Sequence, residues 1–182
     1  MILEVARRNL TPLGVKDVLE LLSKSENARQ SILVGGQAAN FWAEHYGVVS
    51  KGVMLRKDID FLGSASAAME AGLEWGARVE LPSIDNFTPN TAIVYLDIDK
   101  EERGIDFLES IPGVDNDELN RMAVNIEFPA IPDSVMRVMH PLHCMISQIH
   151  NAYDKHLNRR ADPDNGDWIA KRAKISVETL NR

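Results

Sequence analysis

Leu33-Val34-Gly35-Gly36, Asp58-Ile59-Asp60 and Ile105-Asp106-Phe107 are the three pieces of this chain whose reading decides the fold. The first predicts a strand that runs into a glycine turn and then a helix. The second sets two carboxylates on one strand, and the third adds a carboxylate on a later strand. Residues i and i+2 of a strand point to the same side. Asp58 and Asp60 therefore face one way, and Asp106 can join them from a neighbouring strand. Three carboxylates on a sheet face beside a glycine turn are suited to Mg²⁺ ions and a polyphosphate.

The flanking sequence extends this pattern in both directions. Thr11-Pro12 reads as a cap followed by proline at the first helical position, and Val15, Val18, Leu19 and Leu22 continue at helical spacing to about Lys24. Ser31–Val34 reads as the strand, and Gln37 to about Tyr46 as the helix, stopped at Gly47. Val48–Arg56 reads as a loop or ragged strand. Asp58–Leu62 is a strand, and Ser64 caps an alanine-rich helix that is expected to end at Gly72. Strands follow near Arg78–Leu81, Ala92–Ile98 and Gly104–Leu108. The polar stretch Asp97–Arg103 reads as the turn between the last two. Asp97 and Asp99 compete with Asp106 for the place of the third carboxylate, but they read as turn residues.

After Pro112-Gly113, Asp115 is expected to cap a helix to about Met122, with strands at Val124–Phe128 and Val135–Met139. From Pro141 the chain reads as mostly helical. Leu142, Met145, Ile146, Ile149 and Tyr153 form an apolar stripe expected to be buried against the sheet, and a last helix starts at Asp167. The fold class is therefore α+β: a mixed or largely antiparallel sheet flanked by helices, not a doubly wound βαβ array. Residues 1–139 form the expected core, and 140–182 a helical C-terminal segment packed on it. There is no internal repeat and no low-complexity segment.

Composition narrows the partners. The 182 residues suit one domain, and an apolar fraction of 45% can supply its core. Twenty Lys and Arg against 27 Asp and Glu give a net charge of −7, which disfavours a general nucleic-acid binder. Cys144 is the only cysteine, so no internal disulfide can form. The N-terminus has no continuous apolar h-region and no stretch reaches the length of a membrane span. A cytoplasmic protein that engages no membrane is the expectation.

Through these residues the chain resembles the polymerase-beta-like nucleotidyltransferase superfamily. That family combines an apolar residue and Gly-Gly or Gly-Ser opening a helix, an Asp-x-Asp with apolar neighbours, and a third acidic residue flanked by apolar ones. The matching positions are Val34-Gly35-Gly36, Asp58-Ile59-Asp60-Phe61 and Ile105-Asp106-Phe107, and the match covers residues 30 to 110. The resemblance implies that Asp58, Asp60 and Asp106 are catalytic and bind two Mg²⁺ ions, with Asp106 helping to activate an incoming hydroxyl. It implies that Gly35 and Gly36 contact a nucleoside triphosphate. Lys57 stands where the family often has a small hydroxyl residue, and it reads as a phosphate contact or a solvated cation.

His140-Pro141-Leu142 opening a long helix is similar to bacterial nucleotidyltransferase proteins related to AbiEii-type toxins. The implied activity is transfer of a nucleoside monophosphate from an NTP to an acceptor hydroxyl on a protein, a tRNA or a small molecule. The alternative is a non-catalytic or regulatory protein of the same fold, such as a toxin–antitoxin component. A protein partner or homo-oligomer also remains open.

Two further groups have chemistry of their own. His140, His143, Cys144 and His150 are all of metal-ligating type, yet core packing and helix capping suit their spacing better. Arg159 and Arg160 precede Asp162, Asp164 and Asp167, which suits a solvated loop. Arg160 is nonetheless a candidate phosphate contact from the helical side.

Overall fold

The computed structural model describes residues 25–47, 59–82, 90–98, 100–127 and 135–157. Its elements are α1 (Glu26–Gln30), β1 (Ile32–Val34), α2 (Gly35–His45), β2 (Ile59–Leu62), α3 (Ala65–Trp75) and β3 (Arg78–Glu80). They continue with β4 (Asn90–Ile98), β5 (Glu101–Leu108), α4 (Asn116–Met122), β6 (Val124–Glu127), β7 (Val135–Val138) and α5 (Pro141–Leu157). The predicted helix before Ser25, the loop Val48–Arg56 and the helix from Asp167 lie outside the described residues.

The described strands form one mixed sheet of seven in the order β3-β4-β5-β2-β1-β7-β6. β2 runs parallel to β5 and β1 parallel to β7, while the other neighbours are antiparallel. With its flanking helices this is the α+β architecture expected from the order of elements.

Register explains why the strands assemble this way. Leu33 pairs with Phe61 and Val138, Phe61 with Phe107, and Phe107 with Ala92. Register partners share a face, so these apolar side chains form one continuous buried layer with Ile59, Ile105 and Val94. Phe61 and Phe107 meet at a centroid separation of 5.7 Å, a contact that contributes about 0.5–1.5 kcal/mol beyond burial. α3 lies on β4 and β3, α1 on α3 and β7, and α2 against β1, β2 and α5. All three residues of β1 are buried, so this inner strand is covered on both faces. The opposite face opens toward β4 and β5, where Ile93, Tyr95, Gly104 and Asp106 are half-buried.

Several boundaries differ from the sequence expectation. α3 continues through Gly72 to Trp75 and ends at Gly76, which takes the left-handed conformation at φ 64°. Gly72 is buried inside the helix because a Cβ there would collide with Val79. Its role is close packing on β3, not termination. The stretch expected as a turn, Asp97–Arg103, is mostly strand. Ile98 pairs with Glu101 and Asp97 with Glu102, and the tight reversal holds Lys100 at φ 68°. Arg103 is buried on β5.

The cap at α4 matches its sequence signal. Asp115 Oδ1 accepts from the backbone N–H groups of Asp117 and Glu118, both at 3.0 Å. Asp115→Ala is expected to cost about 1 kcal/mol, read as a lower urea midpoint at unchanged slope.

The apolar stripe of α5 is not buried as expected: Met145 and Ile146 are half-buried and the other three residues are open. Leu142, Ile149 and Tyr153 are 38%, 51% and 60% exposed, so they do not form a buried wall. The face turned inward is Pro141, His143, Cys144, Ser147 and Gln148. The rotation of the helix is fixed at its start. Met139 N–H donates to Leu33 O at 2.9 Å, and Trp42 Nε1 donates to Met139 O at 2.7 Å. These bonds tie the chain to β1 and α2 just before Pro141. The inward face is then set by this anchor and not by hydropathy.

Candidate functional site

Asp60 and Asp106 are direct register partners on the parallel strands β2 and β5. Their neighbours Ile59, Phe61, Ile105 and Phe107 all point into the core, at 1%, 1%, 0% and 0% exposure. Strand alternation then turns both carboxylates to the opposite face, where each is half-buried. Parallel neighbours lie about 4.8 Å apart, so two like charges stand side by side. That arrangement costs free energy unless a cation or donors compensate it.

Gly35 completes the corner. Val34, the last residue of β1, pairs with Asp60, and the chain turns at once into α2. Gly35 has φ 59°, a left-handed conformation that glycine adopts without Cβ strain. A Cβ at Gly35 would collide with Asp60 Oδ2. The glycine therefore serves two needs: the backbone reversal and the close approach of a carboxylate to the start of a helix. The positive end of the α2 dipole favours negative charge there. Gly36 follows as a buried residue of the first turn.

Asp106 has a partner that the sequence reading missed. Asn90 Nδ2 donates to Asp106 Oδ1 at 3.2 Å. Next to it, the Thr91 hydroxyl contacts Gly63 O and Phe107 O, each at 3.0 Å. The strand register shifts between Asn90 and Ala92. Hydropathy does not reveal such a bulge, and the only sequence hint is the polar Asn90-Thr91 pair ahead of an apolar strand.

Farther along the same open face, the Arg78 guanidinium stacks 3.9 Å from the centroid of the Tyr95 ring. It also pairs with Glu80 at 3.2 Å and Glu102 at 3.7 Å. Burial raises the Tyr95 phenol above its usual range, and the charge of Glu80 adds to this.

Of the remaining sequence candidates, Asp58, Lys57 and Arg160 lie outside the described residues. Asp97 is exposed near the far end of β4, and Asp99 is not described. Among the described residues, no three His, Cys, Asp or Glu side chains gather to hold a metal ion. Of the histidine cluster, His140, His143 and Cys144 serve the helix start and the core, while the exposed His150 faces Asp154 at 3.8 Å. His140 Nδ1 accepts from Leu142 N–H at 3.1 Å, and burial, followed by the nearby His143, lowers the His140 pKa. His143 is buried with Nε2 3.8 Å from Glu118 Oε1, and Cys144 Sγ contacts Met139 O at 3.6 Å. Among the described residues, no helix is long and apolar enough to cross a membrane.

No family model matches the chain. No curated protein matches it significantly. Among solved structures, the chain is similar to the polyadenylate synthase of Megavirus, with a TM-score of 0.49 and 12% identity. The alignment covers 94% of this chain and 35% of that one, so the chain spans about a third of that protein's length.

Proposed function

We propose that this chain is a Mg²⁺-dependent protein of nucleotidyltransferase type, which moves a nucleoside monophosphate from an NTP to an acceptor hydroxyl. One observation carries the reading: Asp60 and Asp106 stand side by side on parallel strands, with the Asp60 carboxylate against the glycine turn that opens α2. The donors are hard oxygen atoms, which suit Mg²⁺, and the crowding of two carboxylates is relieved by a divalent ion. Asp60 and Asp106, with Asp58 from the same Asp-Ile-Asp run, would hold it. When bound, the metal supplies charge neutralisation at the phosphates and a lower pKa for the attacking hydroxyl.

The chain's own groups divide the remaining work. The backbone at Gly35-Gly36 and the first turn of α2 orient the triphosphate. Asp106 takes the proton of the acceptor hydroxyl. Lys57 and Arg160 are the candidate cations for the phosphates. The acceptor is a protein, a tRNA or a small molecule.

A second reading keeps this fold without turnover, as the regulatory partner of another protein, for example in a toxin–antitoxin pair. The exposed apolar row Leu142, Ile149 and Tyr153 favours it, because such a row suits a protein contact.

Calorimetry with each of the four NTPs, with and without Mg²⁺, tests the proposal. Mg²⁺-dependent binding of at least one NTP is expected, with pyrophosphate release once an acceptor is supplied. Binding without release under any acceptor supports the regulatory reading. No Mg²⁺-dependent binding of any NTP overturns the nucleotide site.

A further inference from the structure

We infer that Asn90 is a positioning residue for the Asp106 carboxylate, delivered to it by a β-bulge at Thr91. The inference rests on the reading of Asp60 and Asp106 as cation ligands, and adds a residue that the resemblance does not supply.

The register carries the argument. Ala92 pairs with Phe107, so a regular antiparallel ladder would set Thr91 opposite Leu108 and Asn90 opposite Glu109. Asn90 would then share the buried face with Ala92 and Phe107. Instead Asn90 pairs with Leu108, because one extra residue is accommodated between Asn90 and Ala92. Leu108 lies two residues from Asp106, so its partner shares the carboxylate face. The bulge therefore moves Asn90 from the core face to the face of Asp60 and Asp106, and its amide reaches Asp106 Oδ1 at 3.2 Å. Re-aiming a side chain is what a single-residue bulge does to a strand.

The bulge is itself fastened. The Thr91 hydroxyl lies 3.0 Å from both Gly63 O and Phe107 O, bridging the end of β2 to β5. Gly63 N–H donates to Leu108 O at 3.1 Å beside it. Both strands that carry the carboxylates are thus locked together at the point from which Asn90 projects. A carboxylate held by an amide donor keeps a fixed plane and presents its oxygens to a cation without first losing rotamer freedom. Such outer partners typically change metal affinity by about 10- to 100-fold when removed.

Mn²⁺ alone is the probe, titrated into the full chain and followed by the electron paramagnetic resonance of free Mn²⁺. Asn90→Ala is expected to weaken Mn²⁺ binding about 10-fold, while the melting temperature without metal stays near that of the parent. Asn90→Gln, which keeps the amide, is expected to recover part of the affinity. Thr91→Val keeps Asn90 but releases the bulge, and is expected to weaken Mn²⁺ binding together with metal-free stability.

Affinity of Asn90→Ala within about twofold of the parent, against the loss expected of such a partner, overturns the positioning role and leaves the proposed function standing. A weakened Asn90→Ala that also loses metal-free stability, with no recovery in Asn90→Gln, makes Asn90 structural and overturns it too. If Asn90→Ala does not fold, Thr91→Val decides, and Mn²⁺ affinity equal to the parent overturns the role. Absence of Mn²⁺ binding in the parent chain overturns the cation site, and the inference with it.

Discussion

Gly35→Ala is expected to unfold the corner of the sheet on which the whole site depends. Two costs add at this one position. An alanine at φ 59° carries the left-handed penalty of about 1–2 kcal/mol. Its Cβ would also collide with Asp60 Oδ2, an overpacking cost of about 1–3 kcal/mol. The sum, about 2–5 kcal/mol, is a large fraction of the stability of an ordinary domain. Chemical denaturation should show a much lower midpoint, and any Mg²⁺-dependent NTP binding should be lost.

The two costs can be separated. In a Gly35→Ala, Asp60→Ala double variant the collision with the carboxylate is gone, while a tight contact to the residue-60 Cβ at 3.3 Å and the backbone strain remain. The double variant should therefore be more stable than Gly35→Ala alone, with a coupling of about 1–3 kcal/mol between neighbouring sites. Strict additivity of the two changes would show that the Asp60 carboxylate does not pack on the glycine.

The same corner shows why so much of the fold was legible. Apolar residues flank each acid, as in Ile59-Asp60-Phe61 and Ile105-Asp106-Phe107, and in a strand that pattern can mean only one buried and one open face. The glycine pair after Val34 could open a helix because the turn demands φ above zero. What the sequence hid has physical causes. Gly72 read as a helix stop because glycine destabilises helix interiors, yet here close packing on Val79 outweighs that penalty. The stripe of α5 read as buried because hydropathy marks a face but not its partner. Two hydrogen bonds at Met139 set the rotation, and both come from residues about a hundred positions earlier. The Asn90 contact was invisible for a related reason. It depends on a one-residue slip in pairing, and pairing is a property of two strands, not of one.

Asp60→Asn is expected to abolish Mg²⁺-dependent NTP binding and turnover while leaving the fold intact. The substitution keeps the shape that packs against Gly35 and removes only the charge. Without metal, Asp60 and Asp106 stand on adjacent parallel strands as like charges, so removing one relieves repulsion. The metal-free melting temperature should therefore stay equal or rise. The ligand-bound comparison then goes the other way. At NTP and Mg²⁺ concentrations about 100 times the dissociation constant, the parent chain gains about 2.7 kcal/mol from binding. For a chain of this size that corresponds to a rise of roughly 5–10 °C in melting temperature, and Asp60→Asn should show none of it. The opposite signs make the experiment decisive. A structural aspartate would lose stability without metal when replaced. A carboxylate kept for a cation gains or holds stability without it and loses only the response to ligand. A marked fall in metal-free stability of Asp60→Asn would place Asp60 among the groups that hold the sheet together and remove it from the chemistry.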